Sequence, residues 1–333
     1  MAKVDYRKIK MTTVAMKAES VRGTYETLAA ADTYCVQNAV LPTVTANVLE
    51  LDCSNGTMTP ADGTVLVGDQ EVSLTFEITF PIDGIATTPY ADYETNMELI
   101  WNAAGFSLTA ADPATAMIPV DASATGISIS YNVDGWEYRV RGCVASEMVV
   151  SLVTKENAKM MLTMIGTLNQ TPTAQGKLES VALSTTGGYT IASQIVGGTA
   201  FDLDSATGGT NYLAYATSII LTVTNTVIPI TSVTATKGIA YHTIIDRDSR
   251  IMLECSPFWL STDQADDEVY AFFTAGTRVD LGVDGVSDSD MIQFKGKITA
   301  FEDVDVDGAL KHNVEIKATG AVADLRLQVF PAS

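Results

Sequence analysis

The sequence predicts a mainly β protein with two tandem antiparallel β-sandwich or barrel domains, each with one flanking helix. Segments in which apolar and polar residues alternate predict half-buried strands, and turn residues separate them at the spacing of antiparallel hairpins. The order of strands, helix, strands and hairpin occurs twice along the 333 residues. Two glycine pairs, Gly142 with Gly166 and Gly296 with Gly320, bracket matching strand pairs, which indicates an internal duplication.

The first half contains the clearest strand signal, at residues 71–80, where apolar and polar side chains alternate without interruption. Asp-Gly and Glu-Asn turns between later apolar segments predict two hairpins in this half. Their strands and turns are 127–133 and 136–140 around Asp134-Gly135, then 148–153 and 159–165 around Glu156-Asn157.

The second half shows the same pattern, with apolar segments separated by short polar clusters. Because such clusters commonly form turns, we expect three hairpins here. Their strands and turns are 219–224 and 228–233 around Asn225-Thr226, 240–245 and 251–255 around 246–249, and 291–300 and 311–318 around 305–308.

Each half also contains one segment with helical periodicity. Residues 93–104 place their apolar side chains on one stripe, and Gly105 follows as a helix stop. Residues 263–274 show the same pattern, with acidic residues in the first turn and Gly276 beyond the end. These segments are the predicted flanking helices.

These elements divide the chain into four parts. We expect an N-terminal arm at 1–33, a first β domain at 34–170, an elaborated connection at 171–216 and a second β domain at 217–333. The connection is poor in charge and rich in glycine, so we expect it to hold one or two short strands.

Composition excludes several classes of protein. Forty acidic residues against 20 basic ones give a net charge of −20, which argues against a protein that binds nucleic acid through the phosphates. A hydrophobic content of 47% excludes a disordered chain. No stretch is long and apolar enough for a membrane span, and the four cysteines lack disulfide or zinc-site spacing.

Patterns for catalysis and metal binding are weak. Asp303, Asp305 and Asp307 occupy the first positions of a calcium-loop pattern, but Val314 stands where a bidentate glutamate is required. An Asp-Gly hairpin turn explains these residues better. No arrangement of nucleophile, base or paired carboxylates stands out. We therefore expect no cofactor and no enzymatic activity.

Short motifs occur in a fixed order along the chain. They are 16–27 with 30–33, 67–76, the helix end 104–106, the hairpin 127–135 with Tyr138 and Arg141-Gly142, the strand 161–166, and Asn225, Asp246-Arg247 and Glu254 in the second half. In order and spacing they resemble the tail tube proteins of long-tailed bacteriophages. Simple members of that family have one such unit, whereas this chain contains two.

The resemblance implies a β-sandwich with a flanking helix, whose inner strands join those of neighbouring copies in a ring around a channel. Such rings stack into the tube of the virion tail, after assembly in the cytoplasm of the host bacterium. Six units close a ring, so three chains would form a pseudo-hexamer, or six chains if the second unit decorates the outside. Implied partners are further copies of the chain and the tape measure, terminator and distal tail proteins; DNA passes without specific binding, and no membrane is involved.

Strand alternation nominates residues for the wall of such a channel, because polar side chains point away from the apolar core. Carboxylates on that wall would repel DNA phosphates and keep friction low. Ordinary solvated surface is the alternative for each residue. The candidates are Glu71, Ser73, Thr75 and Glu77 in the first half, and Glu254 and Glu315 in the second.

Contacts between stacked rings require segments outside the strands. The N-terminal residues 1–30 and the segment 41–65 are long for hairpin connections, so they are candidates for these contacts. A basic cluster in the N-terminal segment could pair with an acidic neighbouring ring, with a solvated tail as the alternative. The cluster consists of Lys3, Arg7, Lys8 and Lys10.

The sequence alone is also compatible with a different class of function. A carbohydrate- or receptor-binding β-sandwich of the adhesin or fibre type would use exposed aromatic residues in a shallow groove. Trp136 and Trp259 are the candidates for that role, although both lie in apolar, strand-like contexts. A tube subunit of a contractile injection system is a third alternative with the same fold.

Overall fold

A computed structural model of the chain shows a mainly β protein built from antiparallel strands. Every strand pairing among the described residues is antiparallel. The structure describes residues 12–29, 32–34, 36–50, 65–79, 99–111, 114–119, 126–133, 136–169, 199–205, 212–232, 238–260, 263–264, 266–284, 290–306, 308–319 and 325–328.

The strands are numbered along the chain. They are β1 (Thr12–Ala18), β2 (Thr33–Tyr34), β3 (Thr43–Glu50), β4 (Val65–Thr79), β5 (Phe106–Ala111), β6 (Ala114–Pro119), β7 (Ile127–Val133), β8 (Trp136–Val153), β9 (Lys159–Leu168), β10 (Thr199–Ser205), β11 (Tyr212–Thr231), β12 (Ile239–Cys255), β13 (Trp259–Leu260), β14 (Asp263–Gln264), β15 (Arg278–Asp284), β16 (Asp290–Val306), β17 (Ala309–Ala318) and β18 (Leu325–Gln328). Helix α1 is Asp266–Ala275, and residues 99–103 are also helical.

One continuous sheet runs through both halves of the chain. Its strand order is β3–β4–β9–β8–β11–β12–β17–β16. The halves meet where β8 pairs with β11, with Glu147 opposite Thr224 and Val153 opposite Ser218. We call this eight-stranded assembly the central sheet.

Further strands cover the apolar side of the central sheet. In the second half, β10 pairs with both β11 and β15, and β15 pairs with β16, which closes a six-stranded barrel. In the first half, β7 pairs with β8 and β1 pairs with β7. A second connection between the halves comes from β18, which pairs with both β6 and β16.

The alternation predicted for residues 71–80 is confirmed over its described part. Val72, Leu74, Phe76 and Ile78 are all buried in the core, while the polar residues between them are only partly buried. The same alternation continues on β9 and β11, so the central sheet has one apolar face and one polar face.

Several predicted turns and helix ends are confirmed. The hairpins β7–β8, β8–β9 and β16–β17 form where the sequence predicts them. Gly105 and Gly276 have the positive φ angles of helix-terminating glycines. Helix α1 begins at Asp266 and not at the predicted Asp263, because Asp263 belongs to β14. The side chain of Tyr270, one of the apolar residues on the predicted helix stripe, is 48% exposed. The first part of the helix predicted at 93–104 lies outside the described residues.

Two of the predicted hairpins are wrong. Residues 219–233 do not turn at Asn225-Thr226, because β11 continues through them as one strand of 20 residues. Residues 240–255 do not turn at 246–249 either, because β12 also continues unbroken. The two strands instead form a single long hairpin with each other, with register shifts near Thr226 and Thr231.

The physical reason lies in tertiary contacts of the polar residues. Asn225 is buried and Arg247 lies opposite it, and both side chains bond to main-chain groups of the first half. The local preference of these polar residues for a turn is therefore outweighed by hydrogen bonds to main-chain groups that lie 80 or more residues away in the sequence.

Other segments also hold strands. Strand β3 lies within the segment 41–65 that was expected to connect strands, and β10 lies within the predicted connection 171–216. Strand β1, within the expected N-terminal arm, pairs with β7 and buries Val14 and Met16. No helix in the described part of the chain is long and apolar enough to cross a membrane.

Candidate functional site

The polar side of the central sheet, which we call the outward face, is continuous across both halves. Directly opposed residues on neighbouring strands point to the same side, so each in-register row of the sheet can be followed from strand to strand. One such row crosses β4, β9, β8, β11 and β12. It consists of Thr75, Thr163, Glu147, Thr224 and Asp248.

The first-half candidates on β4 lie on this face, partly buried. The hydroxyls of Thr75 and Thr163 are 3.3 Å apart, and the side-chain amide of Asn38 donates to Glu77 at 2.6 Å. Ser73, two residues before Thr75 on β4, lies on the same side of that strand. These residues thus form a mainly hydroxyl and carboxylate surface.

Glu71 is in a different environment. Its carboxylate lies 3.1 Å from Nε2 of His242, whose side chain is fully buried, while the Glu71 side chain is 43% exposed. Burial lowers the pKa of His242, although the contact with Glu71 acts in the opposite direction. Glu71 therefore lies where the long β11–β12 hairpin meets the first half, and not on open sheet surface.

The second-half candidates line a shallow depression on the outward face, together with Ile220 and Met252. Glu254 accepts hydrogen bonds from Lys311 and Thr217, each at 2.6 Å, and these bonds lower its pKa. Glu315 accepts a bond from Thr299 at 2.9 Å and lies 3.6 Å from Arg250. Both carboxylates are thus already balanced by nearby donors.

The outward face is consequently mixed in charge. In the second half, Asp248 pairs with Arg250 at 2.8 Å and with Lys317 at 3.1 Å. Burial raises the pKa of Asp248, but the bonds to these two cations outweigh that effect and lower it overall.

The remaining sequence candidates lie apart from this face or outside the described residues. Asp303 contacts His312, and Asp305 accepts the amide of Gly308 at 2.8 Å in the β16–β17 turn. No three carboxylate, histidine or cysteine side chains are grouped as metal ligands within the described ranges. Outside the described residues or side chains are Asp307, Lys3, Arg7, Lys8, Lys10, Trp136 and Trp259.

A second polar site joins the halves. We call residues 225–232 and 238–247 of the long hairpin the arm, and its contact with the first half the junction. Asn225 donates to the carbonyls of Ala104 and Ala145 at 3.1 and 2.9 Å. Arg247 donates to the carbonyls of Ala104 and Gly105 at 3.2 and 2.8 Å, so it caps the end of the helical segment 99–103.

The other end of the junction is organised by Glu19, which follows β1. Its carboxylate accepts bonds from the amides of Gly23 and Gly142 at 2.5 and 2.6 Å and from Ser128 at 3.1 Å. Burial raises the pKa of Glu19, although these bonds oppose the rise. The carboxylate therefore fixes the loop after β1 against a kink in β8.

That loop then holds the arm. Arg22 donates to the carbonyl of His242 at 2.6 Å and lies over the ring of Tyr241, 4.4 Å from its centre. Gly23 has a φ of +79° and contacts the carbonyl of Ala240 so closely that no Cβ atom would fit. The amide of Ile239 donates to Asp69. The junction thus depends on main-chain contacts that a side chain at Gly23 would block.

Sequence reasoning missed this junction, although its residues lie in short motifs that the sequence analysis had singled out. The segments 16–27 and 104–106, with Arg141-Gly142, Asn225 and Arg247, all converge there. Their common order along the chain was visible, but nothing in the sequence indicated that they meet in space.

A third polar cluster lies at the start of helix α1. His312 is buried, with Nδ1 2.8 Å from Asp303 and Nε2 3.0 Å from Asp266. Asp266 also accepts the amide of Phe258 at 2.7 Å. Both ring nitrogens of His312 therefore lie within hydrogen-bond distance of carboxylate oxygens. The cluster ties the helix to β16 and β17.

No model of a known protein family matches the sequence, and a search of curated proteins gives no significant match.

Proposed function

We propose that the chain is a structural subunit that closes into rings and stacks into a tube, as in the tail of a long-tailed bacteriophage, with a channel for DNA. The observation that carries this proposal is the central sheet, which presents a continuous outward face between two open edges. A sheet with two open edges can join a neighbouring copy at each end.

Both edges are free of a second partner among the described residues. Strand β3 pairs only with β4, and residues 298–306 of β16 pair only with β17. The sheet has eight antiparallel strands, so its first and last strands run in opposite directions. Joining β16 of one copy to β3 of the next therefore continues the antiparallel order, and repeating that head-to-tail contact closes a ring.

The β3 edge also carries apolar side chains that a neighbour would cover. Val40, Leu41, Val44 and Val48 are between 41% and 54% exposed and lie along this strand and the segment before it. An exposed apolar edge strand is an association site unless another strand covers it. Ring closure would bury this strip.

The size of such a ring follows from strand geometry. Strands about 4.8 Å apart and tilted by about 40° give 24 strands a backbone radius of roughly 24 Å. Three copies supply that number. Six copies would double the radius to about 48 Å. We therefore propose three chains per ring.

The order of pairings supports two tube-type units per chain. In the first half the order is β3–β4–β9–β8, and in the second half it is β11–β12–β17–β16, with the same hairpins in the same sequence order. A helical segment follows the second strand of each set. The proposed pseudo-hexameric ring rests on this repetition.

In the proposed tube the outward face lines the channel. DNA would pass along a wall of hydroxyls and partly neutralised carboxylates, which offers phosphates little to bind. The proposal includes assembly in the host cell and incorporation into the virion tail, with tape measure, terminator and distal tail proteins as partners. No chemical step is part of the function.

Electron microscopy of edge variants tests this proposal. The purified chain is expected to form hollow rings and tubes that grow with concentration. Val44→Lys places a charge on the β3 edge and is expected to abolish them. Tyr215→Lys, at a more exposed apolar side chain on β11, a strand that is paired on both sides, is the matched control and is expected to assemble normally.

The variants distinguish the edge from general effects of added charge. Loss of assembly in Val44→Lys alone supports closure through β3. Equal loss in both variants, or unchanged tubes in Val44→Lys, would contradict it. Circular dichroism and thermal unfolding confirm that each variant is folded.

A further inference from the structure

Four basic residues stand directly opposite one another on four neighbouring strands, in a chain with twice as many acidic as basic residues. Arg250 on β12 is opposite Lys317 on β17, Lys317 is opposite Lys297 on β16, and Lys297 is opposite Arg278 on β15. We call this the cationic row.

Like charges in directly opposed positions are destabilising, so the row needs compensating anions. Asp248 contacts both Arg250 and Lys317, and Glu315 lies 3.6 Å from Arg250. Within the described part of the chain, no carboxylate lies within ion-pair distance of the exposed Lys297. Lys297 therefore adds a positive charge to the row that Asp248 and Glu315 do not balance.

The row is also accessible. The side chains of Arg250 and Lys317 are 48% and 43% exposed. They lie on the outward face, on the same strands as Glu254 and Glu315. Nε and Nη2 of Arg278 are buried, so the accessible cations of the row are those of Arg250, Lys317 and Lys297. With neighbouring strands about 4.8 Å apart, these three cations extend over about 10 Å.

We propose that the cationic row is a contact surface for the phosphate backbone of a nucleic acid. Duplex DNA carries one charge per about 1.7 Å of its axis, so a row of this length faces several phosphates. Contacts with phosphates carry no sequence information, so the interaction has no base preference. The carboxylates beside the row and the acidic chain keep it weak and sensitive to salt.

This inference goes beyond the proposed function, because the contact needs only the folded chain. Within the proposed tube, it would add one weak phosphate contact per copy to a wall of hydroxyls and partly neutralised carboxylates that otherwise offers phosphates little to bind. The contact can be tested on chains that have not assembled.

The test is binding of a fluorescent 30-base-pair duplex, followed by anisotropy between 20 and 200 mM salt. The double variant Lys297→Gln, Lys317→Gln removes two cations of the row. The control Lys17→Gln, Lys155→Gln removes two exposed cations elsewhere. Solution mass is recorded in the same buffers, so failure to form rings and failure to bind DNA are observed separately.

The wild-type chain is expected to bind at low salt without sequence preference. The row variant is expected to lose about tenfold in affinity at low salt and to reduce the slope of log affinity against log salt by about 2, since each contact contributes about 0.9. The control should change less than twofold. Lys297→Gln alone should give about half the change in slope.

Three results would overturn the inference. One is no binding by the folded wild-type chain at 20 mM salt. Another is equal loss in the row variant and the control. The third is equally tight binding of poly-glutamate of matched charge, which would assign the row to acidic proteins instead of nucleic acid.

Discussion

Arg247 donates from Nε to Oδ1 of Asn225 at 3.0 Å, across a pair of directly opposed positions on β12 and β11. Both side chains then continue to the main chain of the first half, at Ala104 and its neighbours. The pair therefore connects the two strands of the arm and at the same time attaches the arm to the end of a helix. Removing Asn225 takes a donor from the buried carbonyls of Ala104 and Ala145, and removing Arg247 takes one from the carbonyls of Ala104 and Gly105.

Asn225→Ala is expected to lower the free energy of unfolding by about 2–3 kcal/mol, because two buried carbonyls and the Arg247 guanidinium lose a partner. Urea unfolding measures this change. Asn313→Ala, at an exposed asparagine on β17, is the control and is expected to cost less than about 0.5 kcal/mol. Equal effects at both positions would contradict the role assigned to Asn225.

Gly23 and Gly308 offer a matched pair, with φ angles of +79° and +80°. Alanine at either position carries the same backbone penalty, about 1 kcal/mol. At Gly308 the added Cβ meets open space, whereas at Gly23 it meets the carbonyl of Ala240. Gly23→Ala is therefore expected to cost more than about 3 kcal/mol and to loosen the arm, measured by unfolding and by hydrogen exchange at residues 239–244. Similar losses of unfolding free energy at the two glycines would show that the close contact between Gly23 and Ala240 does not contribute to stability.

The junction should weaken in mild acid. Burial lowers the pKa of His242 below its ordinary value of 6.5, so the folded state favours the neutral ring. As pH falls below 6.5, the unfolded chain takes up the proton first, and stability is lost down to the lowered pKa. Unfolding at pH 7.5 and 5.5 is expected to show this loss. In His242→Asn the loss between the two pH values should be smaller, and an unchanged loss would assign it to other groups.

The two carboxylates beside His312 should differ in importance. Asp266 is mostly buried and also holds the amide of Phe258, whereas the Asp303 side chain is 68% exposed. Asp266→Asn is expected to cost about 2 kcal/mol and Asp303→Asn less than about 1 kcal/mol. Thermal unfolding of both variants checks the order, and the reverse order would contradict the arrangement described for this cluster.

Much of the fold could be predicted because local signals agree with it. Alternation on β4 identifies its buried face, and Gly105 and Gly276 mark helix ends through a backbone conformation that favours glycine. The β7–β8 and β16–β17 hairpins form on either side of the short polar segments at which the sequence predicts turns. In each case the determining interaction lies within a few residues.

The long arm could not be predicted for the same reason. Asn225 and Asp246 are residues that commonly form turns, yet they lie in the middle of continuous strands. What keeps the strands extended is the contact of Asn225 with Ala145 and Ala104. A single sequence carries no signal for such a contact, and so the junction was missed while its motifs were noticed.

The candidate site was predicted only in part. Alternation correctly put Thr75 and Glu77 on the polar side of β4, because the period of a strand decides the side. It could not indicate that Glu71 meets His242 or that Glu254 is paired with Lys311, since those partners come from distant strands. Net charge alone likewise gives no information on how the charges are arranged.

The most direct test of the proposed tube is the mass of its smallest ring, measured by mass photometry on particles that electron microscopy shows to be hollow. The account predicts rings with three times the mass of the 35.4-kDa chain, and tubes in multiples of that unit. Rings of six chains would contradict the three-chain ring and favour a second half that decorates the outside. A folded chain that stays monomeric at every concentration, and on addition of preformed tails, would contradict the tube itself.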